Sequence, residues 1–546
     1  MVISSSTMMQ RILIYLTLIG FLSCGSIAQP QPKPQPKPHP PKLVVGIVVD
    51  QMRYDYLARF SQHFGDSGFN LMLKNGRSWS QMHYNYLPTF TGPGHASIYT
   101  GTTPSLHGIA ANDWFDVSEM KEVYCVADPA VKPLGDEQAD PMSPANLRVS
   151  TMGDQLKAAN PTSKVYGLAL KDRGGILPAG KMADGAFWFD SKSGTMISST
   201  YYGKELQPWV LKFNQNHHAD AYLKNDWNLC LSPEEFQSLP DDLPYEKSFK
   251  GEEKPIFPHK ISDIKGKGFG ILRNLPFGNT YTADFARALI EGEGLGKDDI
   301  TDLLCVSFSS PDYIGHQFGT QSREVMDAYI RLDRDLANLF QYLDQKVGRD
   351  AYVMFLSSDH GAADHPYHLK DTCFYSMDYI VRDLKRDLLK TFGDTLILAE
   401  TNDQLYIREE ALAKSGMTTS ALATWINHHL QGDPSFLGAV VPGDPSCSLP
   451  GTGCSHTLNG FDHQRSGQIW LHFRPGCLPE MFRKGGTTHG TCYHYDTHVP
   501  FLLMAPNLEP GKETNPAKIT DIAPTICDIL GIMHPSGCTG QSLLQK

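Results

Sequence analysis

Hydrophobic residues in this chain gather into short unbroken runs. The first, 43–49 (LVVGIVV), is β-branched and continuous, the pattern of a parallel strand covered on both faces. Comparable runs occur at 302–308 (DLLCVSF), 351–357 (AYVMFLS) and 499–505 (VPFLLMA). Between them lie amphipathic stretches. In 323–347 the residues Val325, Tyr329, Leu332, Leu336 and Phe340 recur at helical spacing. Strands alternating with helices predict an α/β fold, a three-layer α/β/α sandwich around a mainly parallel sheet. Two stretches break the rhythm. One, near 175–300, is rich in Pro, Asn, Lys and Trp; the other, near 376–485, holds further strands and a Cys/Gly/Pro-rich segment. Both read as excursions from a single core domain over 43–546.

The N-terminal segment changes the picture. Arg11 precedes an apolar run over 12–22, too short to span a bilayer and suited to a signal-peptide core, with Ser26-Ile27-Ala28 as cleavage residues. Residues 1–28 are expected to be a signal peptide; Cys24 offers an alternative, lipoprotein-type cleavage site. Residues 29–42 alternate proline with polar residues and predict a polyproline II spacer. The expectation is an exported protein, periplasmic or secreted, with no transmembrane segment in the mature chain. Of eleven cysteines, Cys447, Cys454, Cys477 and Cys492 crowd the C-terminal third, and in an oxidising compartment some should pair. No C-x-x-C occurs, which argues against a zinc ribbon. The net charge is −11 without a basic tract, so nucleic acid is not an expected partner, and an anionic substrate would need a local cationic site.

Ligands of open α/β sheets bind at the carboxyl ends of the strands. Asp50 follows the first run, Asp312 and His316 follow the second, and Asp359-His360-Gly361 follows the third. Carboxylate and imidazole together suit zinc better than magnesium. Asp-His pairs also arise by chance: Asp364-His365, Asp462-His463 and the spacing of Asp364 to His368 are decoys that do not follow buried runs. Thr91 precedes Gly92-Pro93-Gly94-His95 and a helix-compatible run. Taken alone it is most simply a helix N-cap. A hydroxyl there would also face the backbone N–H groups and positive dipole that favour a phosphoryl group.

The order of these motifs resembles the alkaline phosphatase superfamily. It comprises strand–Asp50, TGPGH, TG-x-x-P-x-x-HGI ending at Asn112, Asp312-x-x-x-His316, Asp359-His360-Gly361 and GTTHG with His489. Within it, the phosphate-irrepressible alkaline phosphatases with a threonine nucleophile are most similar, and the C-terminal ITDIAPTICDILGI (519–532) matches the superfamily's closing helix. The resemblance implies two zinc ions. Asp50, Asp359 and His360, with Thr91 oxygen, would bind one; Asp312, His316 and His489 would bind the other. His489 is chosen on the resemblance alone, since His494 and His498 lie close by. It further implies Asn112, Lys171 and Arg173 as contacts to phosphoryl oxygens, in an enzyme that hydrolyses phosphate monoesters through a phosphothreonine. Lys171 and Arg173, two apart on what reads as an extended segment, would face one way and neutralise a dianionic phosphate. One alternative is a nucleotide pyrophosphatase/phosphodiesterase of the same superfamily, indifferent to those two cations. Another is a non-catalytic metal-binding surface protein. A sulfatase is disfavoured, because Thr91-Gly92-Pro93 lacks the C/S-x-P-x-R context.

Overall fold

A computed structural model describes residues 40–544 apart from 265, 370 and 371. The expected signal peptide and all but the last residues of the proline spacer lie outside them. No described helix is long and apolar enough to cross a membrane.

The run LVVGIVV forms the strand Leu43–Val49 near the middle of an 11-stranded sheet. Its side chains alternate between two cores. Leu43, Val45, Ile47 and Val49 enter one cluster with the helices Phe277–Glu293 and Arg323–Lys346. Val44 and Val48 enter the other with the helices Thr91–Thr100, Met152–Ala159 and Ile522–Leu530. Burial on both faces explains why the sequence there is continuously apolar. The result is the three-layer α/β/α arrangement.

Five strands run parallel and side by side, in the order Tyr352–Ser357, Leu43–Val49, Asp302–Phe308, Val165–Ala169 and Gly185–Asp190. Their C-terminal ends therefore share one rim. The run read at 499–505 departs from expectation. It is the strand His498–Met504, antiparallel to both Tyr352–Ser357 and Arg77–His83. Full burial, not direction, is what makes a strand continuously apolar, so the pattern could not tell the two orientations apart.

The stretch 175–300 is also less of an excursion than its composition suggested. Gly185–Asp190 and Thr195–Ser199 are main-sheet strands, and Phe277–Glu293 packs on the sheet. Only the part between them, about 200–276, is loop-rich. It is fastened to the long helix Arg323–Lys346 by Asp327, which accepts from Trp227 Nε1 (2.7 Å) and the Cys230 N–H (2.6 Å). The second stretch builds its own core around the four-stranded sheet Ile397–Thr401, Gln404–Ile407, Ile469–Phe473 and Phe436–Val440. A Cys373–Cys477 disulfide closes its root and Cys447–Cys454 closes a small loop within it; Cys492, one of the crowded cysteines, is free.

His259 sits fully buried in this loop-rich part among Trp227, Phe249, Phe257 and Phe318. Its ring nitrogens lie 3.1 Å from Glu252 and 3.2 Å from Glu324. Burial alone would lower its pKa, but the two carboxylates overcome this and raise it to about 9. Because that lies above the unfolded value of about 6.5, the stabilisation is complete below pH ~6.5 and lost as pH rises through 9. Glu246, pushed up to about 9 by burial and by Glu324, acts in the same direction. Thermal melts of the wild type and His259→Gln should show a gap on the order of 3 kcal/mol near neutrality that narrows by pH ~10. A gap independent of pH would show that the imidazolium does not hold this region.

Candidate active site

Neighbouring parallel strands lie about 4.8 Å apart, and four of them each deliver one charged residue to the rim. In spatial order these are Asp359, Asp50, Asp312 and Lys171, after Tyr352–Ser357, Leu43–Val49, Asp302–Phe308 and Val165–Ala169. All four side chains are buried. Lys171 Nζ lies 2.7 Å from Asp50 Oδ2, 2.5 Å from Asp312 Oδ2 and 3.3 Å from Thr91 Oγ1.

Thr91 begins the helix Thr91–Thr100 but does not cap it. The N-cap position is Phe90, and no side chain caps that end. The Thr91 hydroxyl instead accepts from Lys171 and stands 3.5 Å from His360 Nε2. Gly94 lets this helix reach the Asp359 loop, since a Cβ there would fall 2.3 Å from the Asp359 carbonyl oxygen.

The three predicted imidazoles are oriented alike. Nδ1 of His316, His360 and His489 faces the carbonyl of Thr487 (2.7 Å), Gly361 (3.0 Å) and Thr89 (2.7 Å) respectively. A carbonyl only accepts, so each Nδ1 carries a proton, and in the neutral ring it is the Nε2 lone pair that points elsewhere. For all three that direction is toward the carboxylates: His316 and His489 Nε2 lie 3.1 and 3.5 Å from Asp312 Oδ1, and His360 Nε2 lies 3.6 and 3.5 Å from Asp50 and Asp359. Two of the three sets of ligand atoms close enough to share a metal ion among the described residues lie here, Asp50/Asp359/His360 and Asp312/His360/His489. His360 belongs to both, while His316 joins through Asp312. His494 and His498, the sequence neighbours that competed with His489, gather with His83 instead.

The electrostatics fit a cation site. Burial raises Asp50 and Asp359, the latter to about 7, with neighbouring carboxylates adding to the effect. Burial also acts on Asp312, but His316 in its protonated form and Lys171 overcome it and hold Asp312 well below the usual range; a cation at Nε2 would take the place of that His316 proton. Lys171 is held protonated against burial by Asp312 and Asp50. Asp50 Oδ1 and Asp359 Oδ2 are buried without a hydrogen-bond donor. Three carboxylates, two of them with an orphaned oxygen, and three imidazole nitrogens form a donor set that suits borderline divalent cations.

Asn112 accepts the Gly92 N–H through Oδ1 (2.8 Å), which leaves its NH2 group for another partner. Arg173 donates Nη1 to the Tyr124 hydroxyl (2.8 Å), and its buried Nε has no acceptor. The segment carrying Lys171 and Arg173 is not extended throughout: Lys171 is the N-cap and Arg173 lies in the first turn of the helix Asp172–Ala179. A turn of helix, not a strand, sets their relative direction.

Gln51 is a residue the sequence reading passed over. It has φ of +63°, and it gives its N–H to Asp359 Oδ1 (3.1 Å) and Nε2 to Asp312 Oδ1 (2.6 Å). Such a backbone costs on the order of 1 kcal/mol for a non-glycine residue and persists where surrounding structure enforces it. A Cβ at position 315 would fall 1.9 Å from Gln51 Oε1, so a larger residue there would push the Gln51 amide from its place. The decoys have structural partners. Asp364 accepts from Arg53 (2.9 Å), Thr320 (2.5 Å) and Gln321 (3.1 Å), His368 meets the Tyr245 hydroxyl, and Asp462 pairs with Arg148.

The model of the type I phosphodiesterase / nucleotide pyrophosphatase family matches residues 44–486. The alkaline phosphatase PafA of Elizabethkingia meningoseptica is 42% identical over 517 residues, 92% of this chain and 94% of that one. The alkaline phosphatase PhoV of Synechococcus elongatus is 38% identical, with 92% of each chain covered. The crystal structure of wild-type PafA, 41% identical, matches with a TM-score of 0.88 over 94% of this chain and 99% of that one. So, at 40% identity, does a variant of PafA substituted at a threonine, an asparagine, a lysine and an arginine. By motif order, family match and shared fold, the chain belongs to the type I phosphodiesterase / nucleotide pyrophosphatase family of the alkaline phosphatase superfamily, and stands among its alkaline phosphatases.

Proposed function

We propose that the protein is an exported di-zinc phosphomonoesterase that works through a phosphothreonine at Thr91. The observation that carries this reading is the position of the Thr91 hydroxyl: buried, at a helix N-terminus, 3.3 Å from an ammonium and beside two sets of metal-ligating atoms. The PafA variant supports it. Its substituted threonine and asparagine are spaced as Thr91 and Asn112 are here, and its lysine and arginine as Lys171 and Arg173 are.

Asp50, Asp359 and His360 would hold one zinc, and Asp312, His316 and His489 the other. When bound, the zinc ions supply Lewis acidity, which lowers the pKa of the threonine hydroxyl and of water and offsets charge on the phosphoryl and leaving oxygens. Thr91 Oγ, its proton released to solvent, attacks phosphorus in line, forming the Thr91 O–P bond as the bond to the alcohol oxygen breaks and that oxygen takes a proton from water. Lys171 is kept protonated by Asp50 and Asp312, so it cannot take the threonine proton. It donates to Oγ and favours the alkoxide. Arg173, with one nitrogen free of acceptors, and the Asn112 NH2 are placed to donate to phosphoryl oxygens. Water then attacks the phosphothreonine, releasing inorganic phosphate and restoring the hydroxyl.

The family's phosphodiesterase description supports a second reading, in which the scissile group is a diester. Charge separates the two. A monoester phosphate carries nearly two negative charges and a diester one, so Lys171 and Arg173, added to the charge of two bound zinc ions, favour the former.

Three measurements test these assignments. Thr91→Ala should leave no phosphoryl group on the protein after acid quench of a turnover mixture; label on any other residue would end the nucleophile assignment. Exhaustive chelation should abolish turnover and release two equivalents of zinc, with zinc restoring activity, whereas restoration by magnesium alone would contradict the metal assignment. Lys171→Ala or Arg173→Ala should lower kcat/KM for an aryl phosphate monoester by roughly 10²- to 10³-fold. The matching diester should lose far less, and equal losses would favour the phosphodiesterase reading.

A further inference from the structure

His316 is the partly exposed edge of the site, with about a third of its side chain accessible, whereas His360 is fully covered. Beside it a cavity of about 450 Å³ opens outward, with His316 and Tyr313 on its inner wall. Its far side comes from the loop-rich part of the chain and carries Lys247, Lys250 and Lys267. Phe249 and Ile271 add apolar surface, and no Asp or Glu lines it among the described residues.

That charge distribution is unusual for this molecule, whose net charge is −11. Other lysines of the same segment are neutralised: Lys254 lies 2.7 Å from Asp242, and Lys260 lies 3.0 Å from Asp226. Lys247 and Lys250 form no ion pair among the described residues. Lys267 rests on the carbonyls of Leu223 (2.9 Å) and Ile261 (2.6 Å), which accept its protons without cancelling its charge. Arg273 adds a further cation without a carboxylate, 5.0 Å over the Tyr313 ring and 3.3 Å from its hydroxyl. Tyr313 thus separates two cations, since Lys171 Nζ lies 5.1 Å from the centre of the same ring.

The placement is anchored to the site itself. Lys247 exchanges hydrogen bonds with Gln317, its N–H reaching the Gln317 carbonyl (3.1 Å) and its own carbonyl accepting from Gln317 Nε2 (2.8 Å). Gln317 follows His316 directly on the helix Ser310–Phe318. The lysine-bearing loop is therefore fixed to the helix that supplies Asp312 and His316.

We infer that this cavity receives the leaving-group part of the substrate, and that the substrates it favours are phosphate monoesters whose alcohol carries a second anionic group, such as a second phosphate. The inference rests on the phosphomonoesterase reading: Asp50, Asp359 and His360 would hold the metal beside the attacking Thr91 oxygen, so in-line attack puts the departing oxygen on the side of Asp312, His316 and His489. An acidic protein repels polyanions at long range, so a cation cluster without counter-charges beside the site is what would draw one in. The gain is electrostatic and screened by salt.

The test compares kcat/KM of the full chain, zinc-loaded, for a hexose 6-phosphate and the corresponding hexose 1,6-bisphosphate at low and high salt. Two reactive phosphates alone account for a factor of two. We expect a preference of about fivefold or more for the bisphosphate at low salt, falling as salt is added. Lys247→Ala/Lys250→Ala should lower the ratio toward two, and Lys247→Glu/Lys250→Glu should take it below one. A wild-type ratio of two or less, or a ratio that both double variants leave unchanged, would overturn the inference while leaving the phosphatase reading intact. No turnover of either sugar phosphate or of an aryl phosphate would instead remove the reading on which it rests.

Discussion

Three carboxylates, Asp50, Asp312 and Asp359, converge out of contact with bulk water, and one ammonium, that of Lys171, stands among them. Removing a carboxylate from water without a partner costs several kcal/mol, so a fold presenting three together is under strong electrostatic load. The load exists because adjacent parallel strands end in the same direction, and it is tolerable because Lys171 rises from the next strand in the sheet. Much of the local geometry answers to it. Gln51 accepts a left-handed backbone and thereby gives one hydrogen bond to Asp359 and another to Asp312. Three histidines turn protonated Nδ1 atoms to carbonyls, so that no imidazole lone pair is spent outside the site.

The same load explains the rigidity around it. Arg53 joins Asp364 to the Ala362 carbonyl, and Asp364 in turn takes Thr320 and Gln321, so the loops after three separate strands are tied together. Ser358 accepts the Met52 N–H and donates to the His360 carbonyl, a second tie between two of those loops. A site that must hold like charges together cannot be built on independently moving loops, because each would relax outward into water. Thr91 benefits from this stiffness. Its helix is pressed against the Asp359 loop at Gly94, which fixes the hydroxyl relative to the carboxylates before any substrate arrives.

What could be read from sequence follows from what burial imprints on it. Continuous apolar runs located Leu43–Val49, Asp302–Phe308 and Tyr352–Ser357, and the polar residues after them are the ones that converge. The helix Arg323–Lys346 was legible through Val325, Tyr329, Leu332, Leu336 and Phe340, all buried. Strand direction leaves no such imprint, hence the parallel reading of His498–Met504. The strands Gly185–Asp190 and Thr195–Ser199 were hidden in a stretch whose polar composition reflects its later loops. His489 could be picked from its neighbours only through family resemblance, since ring orientation is set by a carbonyl some four hundred residues away in sequence, that of Thr89. Gln51 was invisible for a different reason. Glutamine has no preference for left-handed backbone, and its conformation is imposed by Asp312, Asp359 and the space left at Gly315.

Charge balance links this architecture to substrate choice. Lys171 is committed to Asp50 and Asp312, so it cannot by itself also neutralise an incoming phosphate. Counting Lys171 and Arg173 against three carboxylates, all ionised as cation binding requires, the protein's share of the site is left about one negative charge in excess, and a monoester dianion would deepen the excess to about three. Two divalent cations would bring that total close to neutrality and slightly positive. With a diester the same site would be more positive, and the bound state would carry uncompensated cations in a poorly solvated place. With two divalent cations bound, the strand order that places Asp50 between Asp359 and Asp312, with Lys171 beyond, would therefore favour the dianion through charge alone, before any contact with the alcohol is made.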